Sequence, residues 1–246
     1  MSIIEVASVS KSFGGVKANT DISMTVEKGG ITGLIGPNGS GKTTLFNSIV
    51  GYHPIDGGSI KFEGQEISRK LEPEIARLGQ LRTYQQTRIY GAMNSVENML
   101  ISIPHRKLTL RDAFQRHSSE EKERAEHLLE FVGLYEKRYL EAGSLSFGQQ
   151  KLLEFAMALM NEPTVLLLDE PTAGINPTLI NGLIDRLRRA NSEFGITLFI
   201  IEHNMRVIMN MAEKIYCLAH GQMLASGTPA EIQDDQRVID AYLGAH

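Results

Sequence analysis

Nine consecutive residues, Gly36-Pro37-Asn38-Gly39-Ser40-Gly41-Lys42-Thr43-Thr44, have the side chains and the spacing to hold a chain of phosphates. They satisfy the pattern G-x-x-x-x-G-K-[ST], in which glycines let successive backbone N–H groups curve round a phosphate. A helix starting at Lys42 adds a favourable dipole. The Lys42 ammonium is then expected to reach the β- and γ-phosphates of a nucleotide, and the Thr43 hydroxyl to bind Mg²⁺. The plainer alternative is a glycine turn with an incidental lysine. The setting argues against it, because "ITGLI" before the loop reads as a strand and "KTTLFNSIV" after it as a helix ending at Gly51.

A second group of residues fits the same chemistry. Val165-Leu166-Leu167-Leu168-Asp169 reads as a buried strand ending in a carboxylate, with Glu170 next. An aspartate so placed beside a phosphate loop helps hold Mg²⁺, directly or through water. A glutamate at the strand's mouth can orient and deprotonate an attacking water. Apolar strands ending in acids are common, so this segment gains its meaning from the glycine loop. His203 ends the next strand-like run, "LFIIEHN", on the side where the phosphates should lie. A γ-phosphate contact is the functional reading there, and a hydrogen-bonded surface or core histidine the plain one. "SLSFGQQ" raises a different question. Ser146 and Gln149 form an S-x-x-Q capping box, which by itself only starts a helix.

The rest of the chain supplies elements to position these groups. "IIEVASV", "DISMTV" and "SIKFEG" read as strands, the last following a Gly57-Gly58 turn. From about residue 86 the pattern turns helical, with helix-like segments at 95–103, 109–117 and 119–134. The charged residues of "SSEEKERAEHLLEFVGL" are most simply a solvated helix face. "SFGQQKLLEFAMALM" places Leu152, Phe155, Ala156 and Leu159 on one face. From Val165 the order is strand, helix over roughly 178–191, the strand "ITLFIIEH", and a helix whose Met205, Ile208, Met211 and Ala212 read as core filler. "KIYCLAHGQMLASG" has a hairpin pattern, and "TPAEIQDD" a helix start. The whole implies a mostly parallel α/β core interrupted by a helical insertion near 86–162.

Composition narrows the function. A chain of 246 residues with 42% hydrophobic and 22% charged residues is ordinary for a globular protein. The net charge of −4 argues against a general nucleic-acid binder. Cys217 is the only cysteine, so no intrachain disulfide forms. The apolar runs are strand-sized, far short of the roughly 20 residues of a membrane span. The N-terminus has no signal-peptide pattern, so work at a membrane is expected to go through a partner.

Taken together, these motifs resemble the ATP-binding subunits of ABC transporters over essentially the full length. "GPNGSGKTT" matches the Walker A motif, "VLLLDE" the Walker B with its catalytic glutamate, and "LSFGQ" the LSGGQ signature. "RTYQQ" resembles the Q-loop, with Gln85 in the key position and Gln86 beside it; "AGIN", Ala173-Gly174-Ile175-Asn176, resembles the D-loop; "IIEHN" carries the switch histidine. Phe13 stands where this family places the aromatic that stacks on adenine.

The resemblance implies a P-loop NTPase (RecA-like) α/β core with an N-terminal antiparallel β subdomain and an inserted α-helical subdomain. The expected division of a single ATPase domain is 1–85 and 163–246 for the core and 86–162 for the helical part. It implies ATP and Mg²⁺ as cofactors, with Thr43, Gln85 and Asp169 as metal ligands and Glu170, His203 and Gln85 as catalytic groups. Ser146, Phe147, Gly148 and Gln149 would serve the ATP of a second cassette, arranged head to tail as a homo- or heterodimer. Cap and phosphate contact are compatible, since a capped helix still offers free amides. Further implied partners are transmembrane permease subunits and, indirectly, an extracytoplasmic solute-binding protein. The place of work is the cytoplasmic face of a bacterial or archaeal inner membrane.

"RTYQQTRIYGAMNSVENML", Phe147, "EPTAGINP", "IIEHNM" and "VIDAYLG" look most like the branched-chain amino acid importers. Cassettes of urea or amide importers and of lipopolysaccharide exporters are similar. Two departures stand out: Phe147 replaces a signature glycine, and Asn176 a D-loop aspartate. Two other classes fit the sequence less well. A soluble ABC protein acting on ribosomes or nucleic acid commonly carries two cassettes or a long coiled coil, neither of which is present. A small-molecule kinase leaves Gln85, the signature and His203 unexplained together.

Overall fold

The structure is a computed structural model and describes residues 1–83, 89–103 and 117–243. Along the chain, the described elements are β1 (Ser2–Phe13), β2 (Val16–Glu27), β3 (Ile31–Ile35), α1 (Lys42–Ile49), β4 (Gly57–Phe62), β5 (Gln65–Glu66), α2 (Glu72–Ala76) and β6 (Gln80–Arg82). Next come α3 (Ser95–Ile101), α4 (Ser119–Phe131), α5 (Phe147–Leu159), β7 (Val165–Asp169), α6 (Pro177–Phe194) and β8 (Thr197–Ile201). The chain then runs through α7 (Met205–Met211), β9 (Lys214–Ala219), β10 (Gln222–Gly227), α8 (Pro229–Asp234) and α9 (Gln236–Leu243). Two compact units emerge: Met1–Arg82, Thr164–Thr172 and Leu187–His246 in one, Thr83–Pro163 and Ala173–Arg186 in the other. The helical unit thus includes the first part of α6 as well as the insertion.

In the first unit, β2-β1-β4-β5 form an antiparallel sheet and β10-β9-β3-β8-β7-β6 a second one. The second sheet is parallel from β9 to β6, and β10 closes it as an antiparallel hairpin partner of β9. Every residue of β3, β7 and β8 is buried, as continuous apolar runs in a doubly covered parallel sheet should be. One core joins both sheets through α1: Leu45, Phe46 and Ile49 pack among Val6, Ile60 and Phe62 of one sheet and Leu167, Phe199 and Leu218 of the other. Phe46 and Phe199 meet with ring centroids 4.6 Å apart. Tyr216 links the sheets, its hydroxyl donating to Thr25 O and accepting from Thr25 N, both at 3.0 Å.

The helical unit packs α3 against α4 and α5. Its helix starts are written in capping boxes: Asn94 with Glu97, Ser118 with Glu121, and Ser146 with Gln149. Asn98, fully buried, exchanges hydrogen bonds with the backbone of Tyr90 in both directions. α4 ends at Phe131 rather than 134 because Gly133 takes φ +76 and Leu134 N donates to Leu129 O, a Schellman stop. The expected helix at 109–117 falls almost wholly outside the described residues.

Gly57 and Gly58 do not form the expected turn; they open β4. β1 bulges between Ala7 and Ser10, bringing Ser8 O to 2.4 Å from where a Cβ on Gly58 would stand. Glycine is needed there for a close strand approach. α6 runs three residues past the expected end and stops at Gly195, φ +67. Ile208, Met211 and Ala212 are buried as expected of core filler, while Met205 is half-buried.

Phe46→Ala should cost about 3–5 kcal/mol, the usual loss for deleting a buried aromatic. Urea denaturation followed by circular dichroism should show that loss as a lower midpoint at unchanged slope.

Candidate active site

The glycine loop leaves the carboxyl end of β3 and enters α1. Gly41 stands at φ +97, and a Cβ there would meet Ala18 O at 2.4 Å and Asn19 Nδ2 at 2.5 Å. Asn19 Nδ2 donates to Gly41 O, and Leu45 N to the same oxygen at 2.9 Å, so the turn into the helix is anchored on both sides. Lys42 is buried and folds back on its own loop, donating to Gly36 O at 2.8 Å and Pro37 O at 3.0 Å. Burial pushes the Lys42 pKa down, opposed by the negative charges of Glu170 and Asp169. Thr43 is exposed at the mouth of the loop, and Ser40 Oγ is buried without a protein partner.

Asp169, 2% exposed, ends β7 beside β6 and β8. Its Oδ2 is paired with Arg82 at 2.5 Å. Arg82 lies 5.8 Å from the Phe46 ring centroid and also donates to Asn47 Oδ1. Asp169 Oδ1 is buried with no protein partner. A buried, unpaired carboxylate oxygen suits a hard divalent cation, which takes oxygen ligands. Among the described residues no group of three or more His, Cys, Asp or Glu could hold a metal.

Glu170 follows in the left-handed region, φ +51, with its N–H on Ile201 O at 2.9 Å. Such a conformation in a non-glycine residue persists only where its surroundings enforce it. It brings Glu170 Oε1 to 2.5 Å from His203 Nε2. His203 is held in turn by Glu202, 2% exposed, whose Oε2 accepts the N–H groups of His203 and Asn204 at 3.1 and 3.2 Å. Glu202 Oε1 accepts the Thr172 N–H at 2.9 Å and its hydroxyl. One buried carboxylate thus braces the turns after β7 and β8.

Phe13 ends β1 and is 48% exposed, which leaves it available for stacking. It forms a T-shaped pair with His53, 5.2 Å between centroids, and Lys11 Nζ lies 5.2 Å from its centroid. Burial holds the His53 pKa below the usual histidine range, with Lys11 adding to the effect.

In the helical unit, Gln149 N donates to Ser146 Oγ at 3.4 Å and Ser146 N to Gln149 Oε1 at 3.1 Å. The expected capping box is present, and Ser146 and Phe147 remain exposed. The Phe147 ring lies over Gly174, where a Cβ would stand 2.9 Å from Cε1. Gly174 has φ +73, so its bare backbone serves both the turn and the aromatic. Asn176 Oδ1 accepts from Thr178 N at 3.0 Å and Thr178 Oγ1 at 2.9 Å, starting α6. An amide does here what a carboxylate would do as a cap. Gln85 and Gln86 lie outside the described residues.

Residues 19–173 match the family model described as ABC transporter. The chain belongs to this ABC transporter family. Residues 222–246 match a second model, branched-chain amino acid ATP-binding cassette transporter. The chain is 40% identical over 250 residues to the high-affinity branched-chain amino acid transport ATP-binding protein BraF of Pseudomonas aeruginosa, covering 98% of each. It is 38% identical to the probable branched-chain amino acid transport ATP-binding protein LivG of Archaeoglobus fulgidus, covering all of this chain and 96% of that one. Its fold matches the crystal structure of an ATP-binding cassette of an ABC transporter in its ADP conformation, with a TM-score of 0.88, 34% identity and 99% of each chain covered. The expected fold class, a P-loop NTPase core with an antiparallel β subdomain and a helical insertion, is the one observed.

Two site residues of this ABC cassette were not singled out from sequence. Arg82 sits inside the quoted "RTYQQ", and its only sequence signal is a basic residue closing a short strand. Glu202 sits inside "IIEHN", an acid at the end of an apolar run, the same signal that marked Asp169. Removing one partner of a buried ion pair leaves the other unpaired, a loss of about 3–5 kcal/mol. Arg82→Gln should lose that much stability, and Asp169→Asn added to it should restore a large part. A double-mutant cycle by urea denaturation measures the coupling.

Proposed function

We propose that this chain is the ATP-binding and ATP-hydrolysing subunit of an importer for branched-chain amino acids. The observation that carries the reading is the meeting of Glu170 with His203 beside the loop of Lys42, on a chain whose relatives are named as branched-chain amino acid transport ATP-binding proteins.

In this reading adenine stacks on Phe13, and the amides of Gly36 to Thr44 wrap the phosphates. Lys42 exchanges the carbonyls of Gly36 and Pro37 for the β- and γ-phosphates, trading neutral acceptors for charged ones. Thr43, Asp169 and Gln85 would hold Mg²⁺, which would neutralise charge on the phosphate oxygens. Glu170 orients a water and takes its proton as the water oxygen bonds to the γ-phosphorus and the bond to the β-phosphate oxygen breaks, giving ADP and phosphate. His203 positions Glu170 and contacts the γ-phosphate.

Ser146, Gly148 and Gln149 of a second cassette complete the site from the other side, and Ala173 to Asn176 line the same interface. ATP joins the two faces because its phosphates are satisfied only when both are present, and hydrolysis removes the bridge. A ligand shifts a two-state equilibrium by as much as its differential affinity, so this cycle can drive a coupled membrane domain. No helix among the described residues is long and apolar enough to cross a membrane. In this reading the chain works peripherally, on the cytoplasmic face, docked on permease subunits that receive cargo from an external solute-binding protein.

Glu170→Gln should keep ATP affinity, lose turnover by at least about a hundredfold, the scale of general-base catalysis, and accumulate closed dimers in size-exclusion chromatography with ATP. Lys42→Ala should weaken ATP binding by roughly tenfold or more through loss of a charge-assisted contact. Copurification from its native membrane should recover a multi-span protein. Vesicles holding that complex should take up leucine, isoleucine or valine with ATP, and not when the complex carries Glu170→Gln. Full turnover in Glu170→Gln, or recovery with ribosomes instead of a membrane protein, would overturn the proposal.

A further inference from the structure

The C-terminal helix α9 reaches the root of the phosphate loop. Tyr242 hydroxyl accepts the backbone N–H of Gly36 at 2.8 Å. Gly36 is the first residue beyond β3, whose ladder with β9 ends at the pair Ile35 and Cys217. Its N–H therefore lies past the last rung, and it is buried. A buried amide without a partner is costly, so the side chain that meets it controls where the loop starts.

Gly36 itself cannot be replaced as a fixed point. It stands at φ +146, and a Cβ would meet Leu218 O at 2.1 Å. The carbonyl of the same residue accepts from Lys42 Nζ at 2.8 Å. The Gly36 residue is thus gripped through its N–H by Tyr242 and through its C=O by the phosphate-binding lysine. Burial pushes the Tyr242 phenol up to about 12, so it stays neutral. Farther along, Asp240 and Ala241 line a cavity of about 350 Å³ with Pro37 to Ser40 and His220, so the loop tip keeps free space while its root is pinned. Gly36 lies in the segment matching the general ABC transporter model, and Tyr242 in the segment matching the branched-chain amino acid cassette model.

We infer that Tyr242 is a positioning residue for ATP binding: its hydroxyl holds Gly36, and with it the phosphate loop, in the conformation that receives the phosphates. Nucleotide affinity in this cassette then depends on its C-terminal helix. The inference rests on the proposed ATPase reading and adds a residue that acts through the backbone of Gly36. When Lys42 leaves Gly36 O for a phosphate, Tyr242 keeps the other half of the grip, so the loop does not relax as the lysine moves.

The test compares full-length wild type, Tyr242→Phe and, as a control on the exposed side of α9, Leu243→Ala. Tyr242→Phe deletes one oxygen and keeps the packed ring. It should bind ATP and ADP roughly tenfold more weakly, the fold-change for one net hydrogen bond. kcat at saturating ATP should stay within about twofold, because the contact is made equally in ground and transition states. In nucleotide-free protein, hydrogen exchange should be faster in the peptide spanning Ile35 to Gly41, and Leu243→Ala should match wild type throughout. Unchanged affinity together with unchanged exchange overturns the inference. So does a fall in kcat and affinity that follows a lowered melting temperature, since that is a merely structural role. A wild type that binds no nucleotide removes the ATPase reading instead, and the exchange measurement still reports on the Tyr242 contact.

Discussion

Three fully buried parallel strands, β3, β8 and β7, can carry no charge along their length, because a charge in a doubly covered sheet has nowhere to be solvated. Every ionisable group that phosphate chemistry requires is therefore displaced to the strand ends. The order β3-β8-β7 puts the carboxyl ends side by side, so Lys42, His203, Asp169 and Glu170 arrive at one edge from segments far apart in the chain. The glycine loop belongs to the same constraint: it leaves the carboxyl end of β3 and offers backbone amides instead of side chains.

Bringing such charges to one edge requires that each be satisfied. Lys42 rests on carbonyls of its own loop, Asp169 on Arg82, Glu170 on His203, and Glu202 on four donors from two turns. The partnerships differ in kind. Glu202 and Tyr242 pin backbone and leave it nowhere else to go. Lys42 and Glu170 hold groups that phosphate and water can replace, and Asp169 keeps one oxygen in reserve. A site built this way is organised before its ligand arrives and still has valences to offer, which is the physical content of preorganisation.

The helical unit follows a more local logic. Capping boxes start its helices, and the one at Ser146 occupies the signature motif. Phe147 looks from sequence like a loss of the signature's glycine. The structure gives the ring a place over the bare backbone of Gly174, so the aromatic joins the signature to the D-loop of the same chain. Asn176 keeps the capping bonds that start α6, which accounts for why an amide is accommodated there.

The residues proposed for phosphate chemistry, Gly36 to Thr44, Asp169, Glu170 and His203, were legible because each combines a residue type with a run of neighbours that declares its element. Strands β3, β7 and β8 and the capping box at Ser146 were legible for the same reason: burial on both faces and local hydrogen bonding write their patterns into adjacent residues. Arg82, Glu202 and Tyr242 were not: an arginine closing a three-residue strand or a tyrosine near the end of a short helix has no local pattern, and the apolar run before Glu202 marks a strand end without marking its acid as a brace. What gives each its role is a partner at Asp169, Thr172 or Gly36, separated by 87, 30 and 206 positions in the chain. The sequence by itself determined which groups could do the chemistry and which elements carry them, because both are set by neighbours. Only the tertiary structure decided what holds those groups in place, because the supporting bonds join residues whose proximity exists only once the sheet has assembled.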